Sequence, residues 1–353
     1  MSELLNQEKL SRRAFIKNIG AGAVAATVAP SLLQHTLAYA DDATPQKPAI
    51  VGAGRHTYEV VPNWGKLPEG VKYGYTHGVV EDSQGHIFIH NQSDDAIIIF
   101  DPDGKFIKSW GKDFKNGAHG MQLRKEGNME YLYLADYARH IVVKTTLDGE
   151  EVWTLHYPKE AGVYEKEEQY KPTNVAFGPN GDFYVADGYG QSYIHQYNQK
   201  AEYIRTWGGK GDTPGKMNCP HGIWLDTRGQ TPILVVADRE NHRLQNFTLD
   251  GQHINFVTDE LRRPCHFSQR NGDLLIPDLH GRVTIFDKDN KLITHLGDSP
   301  DIWKTPGWPN LAPEKLTPGK FSSPHAAIWD HNGNIYVVEW INYGRVTKLR
   351  HIA

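Results

Sequence analysis

The segment PHGIWLD at residues 220–226 recurs in weaker form along the chain, and this repetition decides the fold. Five further segments align with it: THGVVED at 76–82, AHGM at 118–121, PTNV at 172–175, PCHF at 264–267 and PHAA at 324–327. The aligned positions are 42 to 60 residues apart. A period of this length is typical of repeat architectures such as β-propellers.

Each copy continues with the same succession of elements. A polar turn such as Asn180-Gly181 follows, then an apolar run that ends in an acid, such as 233–238. A third run, such as 243–247, and a fourth, such as 106–110, complete the repeat. Short β-rich runs separated by Gly, Asn and Asp predict strands and hairpins. Four strands in each of six repeats predict an all-β, six-bladed β-propeller.

The last repeat supplies only three strands, up to residues 345–351. The segment 58–65 resembles the fourth strand of another repeat, at residues 203–208. We therefore predict that this N-terminal strand completes the last blade and closes the ring, which would remove an exposed sheet edge. A single propeller domain would then occupy residues 41–353.

The composition limits the class of protein. The chain has 353 residues and a formal net charge of −4, from 38 basic and 42 acidic side chains. This balance argues against a nucleic-acid partner, because nucleic-acid binders carry a basic excess. Hydrophobic residues make up 39% of the chain, too few for a protein with several membrane spans. The 18 histidines are unusually many for this length, and their positions are informative.

The first forty residues have the pattern of an export signal. The basic segment SRRAFIK at 11–17 precedes a weakly apolar stretch at 19–33, and AYA at 38–40 fits a cleavage site. Paired arginines before Phe resemble a twin-arginine signal. We therefore expect residues 1–40 to be a twin-arginine signal peptide recognised by the Tat translocon, and the mature protein to be periplasmic or secreted. An uncleaved anchor is the alternative.

The histidines concentrate at the aligned position of the repeat. In a propeller this position starts the innermost strand of each blade and faces the central channel. The six aligned residues are His77, His119, Thr173, His221, Cys265 and His325. We therefore predict that four histidines converge on the axis.

Three of these histidines lie on alternate blades. His119, His221 and His325 are related by a pseudo-threefold axis, so their imidazoles would form a trigonal face for a divalent metal. Three histidines with an open fourth position are the usual catalytic zinc arrangement. His77, on the first blade, would be a fourth ligand or an acid/base. The alternative is that these histidines are bonded to carbonyl groups and water without metal. Zn²⁺ is the expected metal, and copper or another divalent ion stays open.

Two further side chains lie where second strands end. Tyr189 and Arg239 are placed beside the channel. A phenol near a dication can act as a base, and a guanidinium can hold a carboxylate in a bidentate fork. The alternative is that both residues only stabilise blade turns.

The two cysteines, Cys219 and Cys265, allow three interpretations. They could form a disulfide after export. Cys265 could instead be a soft ligand that favours copper. Both could also be buried free thiols.

Two insertions, 157–171 and 298–323, are long enough to be lids or rims of a site, or passive loops. Histidines elsewhere on the blades, including His195 and His280, are interpreted as ordinary turn or surface residues.

The residues also resemble a known family. VVADRENHRLQ at 235–245 resembles an NHL repeat, and with KPTNV at 171–175, VADGY at 185–189 and PH at 220–221 it resembles peptidyl-α-hydroxyglycine α-amidating lyase. The resemblance covers roughly residues 95–350. That family is a six-bladed propeller that cleaves the hydroxyglycine C–N bond to give an amide and glyoxylate. The resemblance implies a catalytic zinc on His119, His221 and His325, an active-site Tyr at Tyr189 and a site Arg at Arg239.

The chain departs from the family at several positions. The family's arginine on the first blade is replaced by His77, and its calcium-binding Asp after the last zinc histidine is Ala326. The resemblance therefore does not support a structural calcium. The Cys that follows the active-site Tyr in the family is Gly190.

We expect an exported, monomeric, metal-dependent lyase acting on an α-hydroxylated substrate. This substrate would be a small molecule or peptide-like, either hydroxyglycine-like or a hydroxy acid. Two other functions stay open. One is a non-catalytic NHL propeller that binds proteins or ligands. The other is a hydrolase or copper oxidoreductase on the same ring.

Overall fold

The structure is a computed structural model that describes residues 47–61 and 64–353. The predicted signal peptide at residues 1–40 lies outside the described residues. Among the residues described, no helix has the length and apolar character needed to cross a membrane.

Six antiparallel sheets confirm the predicted six-bladed propeller. The chain first forms β1 (Ile50–Ala53) and β2 (His56–Val61), which belong to the last blade. Blade one contains β3 (Thr76–Glu81), β4 (Ile87–Asn91), β5 (Ile97–Phe100) and β6 (Phe106–Trp110). Blade two contains β7 (Ala118–Glu126), β8 (Met129–Asp136), β9 (Ile141–Thr146) and β10 (Glu151–Leu155). Blade three contains β11 (Asn174–Phe177), β12 (Phe183–Ala186), β13 (Tyr193–Tyr197) and β14 (Tyr203–Gly208).

The remaining strands form blades four to six. Blade four contains β15 (Pro220–Asp226), β16 (Ile233–Asp238), β17 (Arg243–Phe247) and β18 (His253–Val257). Blade five contains β19 (Ser268–Arg270), β20 (Asp273–Asp278), β21 (Arg282–Phe286) and β22 (Leu292–Leu296). Blade six contains β23 (Pro324–Trp329), β24 (Ile335–Glu339) and β25 (Arg345–His351). Within the described residues, short 3₁₀ helices lie in the loops, at Lys112–Phe114, Lys159–Ala161, Glu167–Gln169, Arg239–Asn241, Ile302–Lys304 and Pro313–Lys315.

The N-terminal strand closes the ring, as predicted. β2 pairs antiparallel with β25, with Tyr58 opposite His351 and Val60 opposite Leu349. β2 begins at His56, two residues before the predicted start. The sequence did not predict β1, which pairs with the outer edge of β2 and gives the last blade a fifth strand.

The hydrophobic core is divided among the contacts between blades. Six clusters of buried side chains each join two neighbouring blades. Between blades three and four, for example, Ile194 packs with Val236 and Phe247. Strands β4, β5, β20 and β21 are buried at every residue. These strands, which lie between the channel and the rim, are therefore buried on both faces, because both faces meet a neighbouring blade.

Candidate metal centre in the central channel

A buried acid at the end of the second strand positions the innermost strand of several blades. Asp238 accepts a hydrogen bond from the backbone N–H of Asn218 at 2.6 Å, and Glu339 accepts one from Ser322 at 2.7 Å. Asp278 likewise accepts from the backbone N–H of Arg263 at 2.7 Å. Each donor lies two or three residues before an aligned channel position. These acids, which the sequence showed as a repeated feature, therefore hold the loops that carry the channel residues.

Each of the four aligned histidines lies where the pairing register of an innermost strand shifts. In blade one the shift falls between Thr76 and Gly78, and in blade six between Pro324 and Ala326. The shifts in blades two and four span His119 and His221 in the same way. A β-bulge turns a side chain away from the regular alternation of a strand. The bulges thus account for four histidines that all point into the channel.

Glycine after two of the histidines lets neighbouring innermost strands approach closely. A Cβ on Gly120 would lie 2.3 Å from the carbonyl oxygen of Thr173, and one on Gly222 would lie 2.4 Å from that of Cys265. The same carbonyl groups accept hydrogen bonds from the adjacent histidines. His119 Nδ1 lies 2.7 Å from the oxygen of Thr173, and His221 Nδ1 lies 2.9 Å from that of Cys265. The His-Gly pair is therefore a packing signature as well as a chemical one.

These hydrogen bonds fix the tautomer of each histidine. His325 Nδ1 lies 2.9 Å from the carbonyl oxygen of His77, and His77 Nδ1 lies 3.0 Å from that of Tyr75. Because a carbonyl oxygen can only accept, Nδ1 must carry the proton and the lone pair must be on Nε2. Metal-binding histidines typically donate their other ring N–H to such a partner. The four rings are thus oriented as ligands.

The structure brings all four predicted histidines together. The ring centroids of His119, His221 and His325 form a nearly equilateral triangle with sides of 4.6, 4.7 and 4.8 Å. His77 lies 4.6 Å from His325 and 5.0 Å from His119 by the same measure. One ligand atom from each of His77, His119 and His325 lies within 4.8 Å of the others. This group contains His77 in place of the predicted His221, whose Nε2 lies 3.2 Å from the Tyr189 hydroxyl.

Burial keeps the cluster uncharged. All four rings are at most 4% exposed. Burial lowers the pKa of His77 to about 3, and it holds the pKa values of His119, His221 and His325 well below 6.5. Histidine must be neutral to bind a metal. The buried Nε2 of His325 has no hydrogen-bond partner among the described residues. A neutral imidazole set with an unsatisfied lone pair fits a divalent cation.

Tyr189 and Arg239 lie against the cluster. The Tyr189 hydroxyl is 3.1 Å from His119 Nε2 and 3.2 Å from His221 Nε2. One hydroxyl hydrogen can serve only one of these two lone pairs. Arg239 Nη1 donates to the same hydroxyl at 3.3 Å. Burial raises the pKa of Tyr189 to about 12, with the Arg239 guanidinium acting in the opposite direction.

Arg239 is 7% exposed, and its guanidinium is held by Glu240 as well as by Tyr189. Its Nε donates to Glu240 Oε1 at 3.0 Å, and Arg263 donates to the same oxygen at 2.6 Å. The charge of Glu240 is therefore shared by two guanidinium groups. The fixed Arg239 fork can thus present its remaining N–H groups to an anion in the channel.

The cysteines are buried free thiols, the third of the interpretations. Burial raises the pKa of Cys219 to about 11 and that of Cys265 to about 12. Cys265 Sγ donates to the carbonyl oxygen of Arg263 at 3.5 Å, and the group of converging ligand atoms consists of histidines only. Ala326, the residue in place of the family's calcium-binding Asp, is fully buried.

Sequence reasoning missed or misplaced several side chains near the site. Tyr137 was not predicted, yet its ring lies 5.5 Å from Tyr189 and 6.1 Å from His119. Its position after the acid of blade two, Asp136, was the available signal. The interpretation of His195 as a surface residue was wrong: it is fully buried, and its Nδ1 lies 2.8 Å from the Thr206 hydroxyl.

The two insertions differ in their surroundings. Insertion 157–171 packs onto blade three, where the Tyr164 hydroxyl donates to Asp187 at 2.8 Å and Tyr170 is fully buried. Insertion 298–323 carries Trp308, whose ring lies 6.2 Å from that of Trp340 beside the channel loops.

The chain is similar to named enzymes. It is 30% identical over 290 residues to peptidyl-α-hydroxyglycine α-amidating lyase 1 of Drosophila melanogaster, covering 72% of this chain and 49% of that protein. It is 32% identical over 181 residues to peptidyl-glycine α-amidating monooxygenase B of Xenopus laevis, covering 47% and 20%. The chain thus spans about half the length of the first relative and a fifth of the second. No protein-family model matches the chain.

Solved structures share the fold. A gluconolactonase of Xanthomonas campestris aligns with a TM-score of 0.59 at 13% identity, over 86% of this chain and 94% of that one. Virginiamycin B lyase of Staphylococcus aureus aligns with a TM-score of 0.54 at 13% identity, over 88% and 97%. These similarities establish the architecture alone. By fold and by sequence, the chain is a six-bladed β-propeller homologous to the peptidyl-α-hydroxyglycine α-amidating lyases.

Proposed function

We propose that the protein is a metal-dependent lyase that cleaves N-acyl-α-hydroxyglycine to an amide and glyoxylate. The observation that carries this proposal is the position of the Tyr189 hydroxyl, within 3.3 Å of His119 Nε2, His221 Nε2 and Arg239 Nη1. A phenol, a guanidinium and several imidazole lone pairs thus surround one small volume. The names of the related enzymes support the same reaction.

His119, His221 and His325 would hold the metal, and His77 lies beside them, with its ring centroid 4.6 Å from that of His325. A bound dication would polarise a substrate oxygen and make its hydroxyl more acidic. Imidazole ligands suit zinc, copper, iron and nickel. The ligand set therefore limits the choice to these metals and does not identify one of them. His77 is a poor proton donor near neutral pH, because burial lowers its pKa to about 3.

The remaining residues account for the bond changes. Arg239 would hold the carboxylate of the hydroxyglycine unit, which becomes the carboxylate of glyoxylate. Tyr189, whose phenolate form the Arg239 guanidinium favours, would remove the proton of the α-hydroxyl, and the O–H electron pair becomes the second C–O bond of the aldehyde. The Cα–N bond breaks, and the nitrogen keeps that electron pair and takes up one proton. One hydroxyglycine unit therefore gives one amide and one glyoxylate without an oxidant.

Metal analysis and a glyoxylate assay test the proposal together. The protein, purified without added metal, should contain about one equivalent of a divalent metal and release glyoxylate from N-benzoyl-α-hydroxyglycine. His221→Ala should lose metal and activity, whereas Tyr189→Phe should keep the metal and lose kcat by a factor of at least about 100. Arg239→Gln should raise KM. The matched control is His331→Ala, since the His331 side chain is 61% exposed.

Two results would contradict the proposal. Absence of metal in both wild type and His221→Ala would remove the catalytic interpretation and favour a binding propeller. Full activity of Tyr189→Phe would exclude Tyr189 as the base.

We also propose export through the twin-arginine route, on the basis of Arg12 and Arg13. Replacing both by lysine should leave the precursor in the cytoplasm of the host. Processing that is unchanged in this variant would exclude the route.

A further inference from the structure

A row of aromatic rings begins beside the histidine cluster and continues onto insertion 298–323. Tyr75 and Trp340 lie 5.5 Å apart by ring centroids, and Trp340 lies 6.2 Å from Trp308. His280 then lies 5.9 Å from Trp308 and stacks on Trp303 at 4.5 Å with an interplanar angle of 11°. We call these five residues the aromatic row.

The start of the row is attached to the candidate metal site. The carbonyl oxygen of Tyr75 accepts the hydrogen bond from His77 Nδ1 at 3.0 Å. The backbone N–H of Trp340 donates at 2.8 Å to Ser323, which lies two residues before His325. The first two rings of the row are therefore held by the loops that position two of the four histidines.

Polar contacts hold the row in place. Asn310 donates its side-chain N–H to the Tyr75 hydroxyl at 2.9 Å and accepts the backbone N–H of Asn342 at 2.9 Å. Trp308 Nε1 donates to the carbonyl oxygen of Ser322 at 3.1 Å. None of the five rings is fully buried, and Trp303 is 37% exposed. The row is thus held in place and stays partly accessible, and aromatic side chains are common in the lining of ligand sites.

The first two rings of the row and the carboxylate anchor lie on opposite sides of the ring, whereas His280, which follows β20, belongs to blade five, next to the blade of Arg239. Tyr189 and Arg239 follow the second strands of blades three and four, whereas Tyr75 and Trp340 belong to blades one and six. In a six-bladed ring the boundary of blades three and four is opposite the boundary of blades six and one. A substrate whose carboxylate meets Arg239 would extend its other end across the histidines towards Tyr75 and Trp340.

We infer that the aromatic row binds the acyl group of the substrate and selects aromatic or large apolar acyl groups. This inference rests on the proposed function and adds the substrate class. An aromatic group that packs on such rings gains apolar contact and the edge or stacking interactions of aromatic pairs. A small acyl group offers little apolar surface for such contacts and gains less from both.

The ratio of kcat/KM for two substrates tests the inference. Wild type should prefer N-benzoyl-α-hydroxyglycine over N-acetyl-α-hydroxyglycine by about tenfold or more. Trp308→Ala and Trp340→Ala should each reduce that ratio by several-fold to about tenfold. Trp308→Leu, which keeps apolar bulk without the ring, provides a second variant if alanine impairs folding. The matched control is Trp153→Ala on β10, which packs against Tyr133 away from the row and should keep the wild-type ratio.

Binding of inert analogues separates this inference from the proposed reaction. N-benzoylglycine and N-acetylglycine lack the α-hydroxyl, so calorimetry measures recognition without turnover. Tighter binding of the benzoyl compound, lost in Trp308→Ala, supports the row even if no glyoxylate is ever formed. Equal kcat/KM or equal binding for the two acyl groups in wild type would overturn the inference while leaving the lyase proposal intact. An unchanged preference in both tryptophan variants would overturn it as well.

Discussion

At the scale of single residues, the glycine after a channel histidine is the most sensitive position. A methyl group on Gly222 would lie 2.4 Å from the carbonyl oxygen of Cys265, which is backbone and cannot rotate away. We expect Gly222→Ala to reduce the free energy of unfolding by about 1–3 kcal/mol and to lower metal content. The reason for the metal loss is that the same carbonyl orients His221.

Gly229→Ala is the matched control for this prediction, because its nearest neighbour would be 3.7 Å away. Urea denaturation and metal analysis of both variants check the result. Equal stability and metal content in the two variants would contradict the packing argument.

The channel histidines also predict a pH dependence of stability. Their pKa values are lowered by burial, so below about pH 6.5 the unfolded chain binds more protons than the folded one. The free energy of unfolding of EDTA-treated protein should therefore fall as pH decreases from 6.5 towards 3, by up to about 1.4 kcal/mol per pH unit for each histidine. His77→Gln removes one of these titrating groups, so it should make the slope shallower by up to about 1.4 kcal/mol per pH unit.

His331→Gln should change the pH dependence of the free energy of unfolding in the opposite direction and make the fall at acid pH steeper. The pKa of His331 is raised, chiefly by its hydrogen bond to Glu81, so its stabilisation is present at low pH and is lost as pH rises through the raised value. Urea denaturation between pH 4 and pH 8 measures both slopes. An unchanged acid slope in His77→Gln would contradict the neutral cluster.

At the scale of elements, the buried acid that ends β16 connects two parts of blade four. Asp238 is fully buried and accepts hydrogen bonds from the backbone of Asn218, from Arg243 Nε at 2.7 Å and from Gln245 Nε2 at 2.9 Å. Asp238→Asn would leave the Arg243 charge without its partner. We expect a loss of about 3–5 kcal/mol in the free energy of unfolding.

Asp250→Asn is the control for Asp238→Asn, since Asp250 is an exposed acid of the same blade. Thermal and urea denaturation compare the two. A loss in Asp238→Asn no larger than that of the control would show that the acid does not hold the loop before β15.

The same elements show what sequence could and could not predict. Because one residue per blade repeats at a fixed place, the convergence of His119, His221 and His325 follows from the alignment alone. The hydrogen bond from His221 to Cys265 depends on how closely two blades approach, which no local pattern records. The burial of His195 was missed for the same reason, since Tyr164 and Tyr170 of insertion 157–171 pack against its ring.

At the scale of the whole molecule, the repeat predicted the blade count and the closing strand, whereas β1 escaped prediction. β1 has four residues, none of them fully buried, so its sequence carries no burial pattern. It forms because the backbone groups on the outer edge of β2 can pair with another strand. The aromatic row could not be predicted from the sequence either. Its rings meet only because the closed ring brings insertion 298–323 against blades five, six and one.

Closure by β2 predicts an unequal effect of two truncations. A mature chain that begins at residue 55 lacks β1 only, whereas one that begins at residue 64 also lacks β2. The first should keep a cooperative urea transition. The second removes Tyr58 and Val60 from the cluster between blades five and six and leaves β25 as an open edge, so it should unfold without cooperativity or self-associate. Urea denaturation and light scattering during size-exclusion chromatography compare the two chains. If both kept the same transition midpoint and remained monomeric, the ring would be held by blade packing alone and β2 would not be its closure.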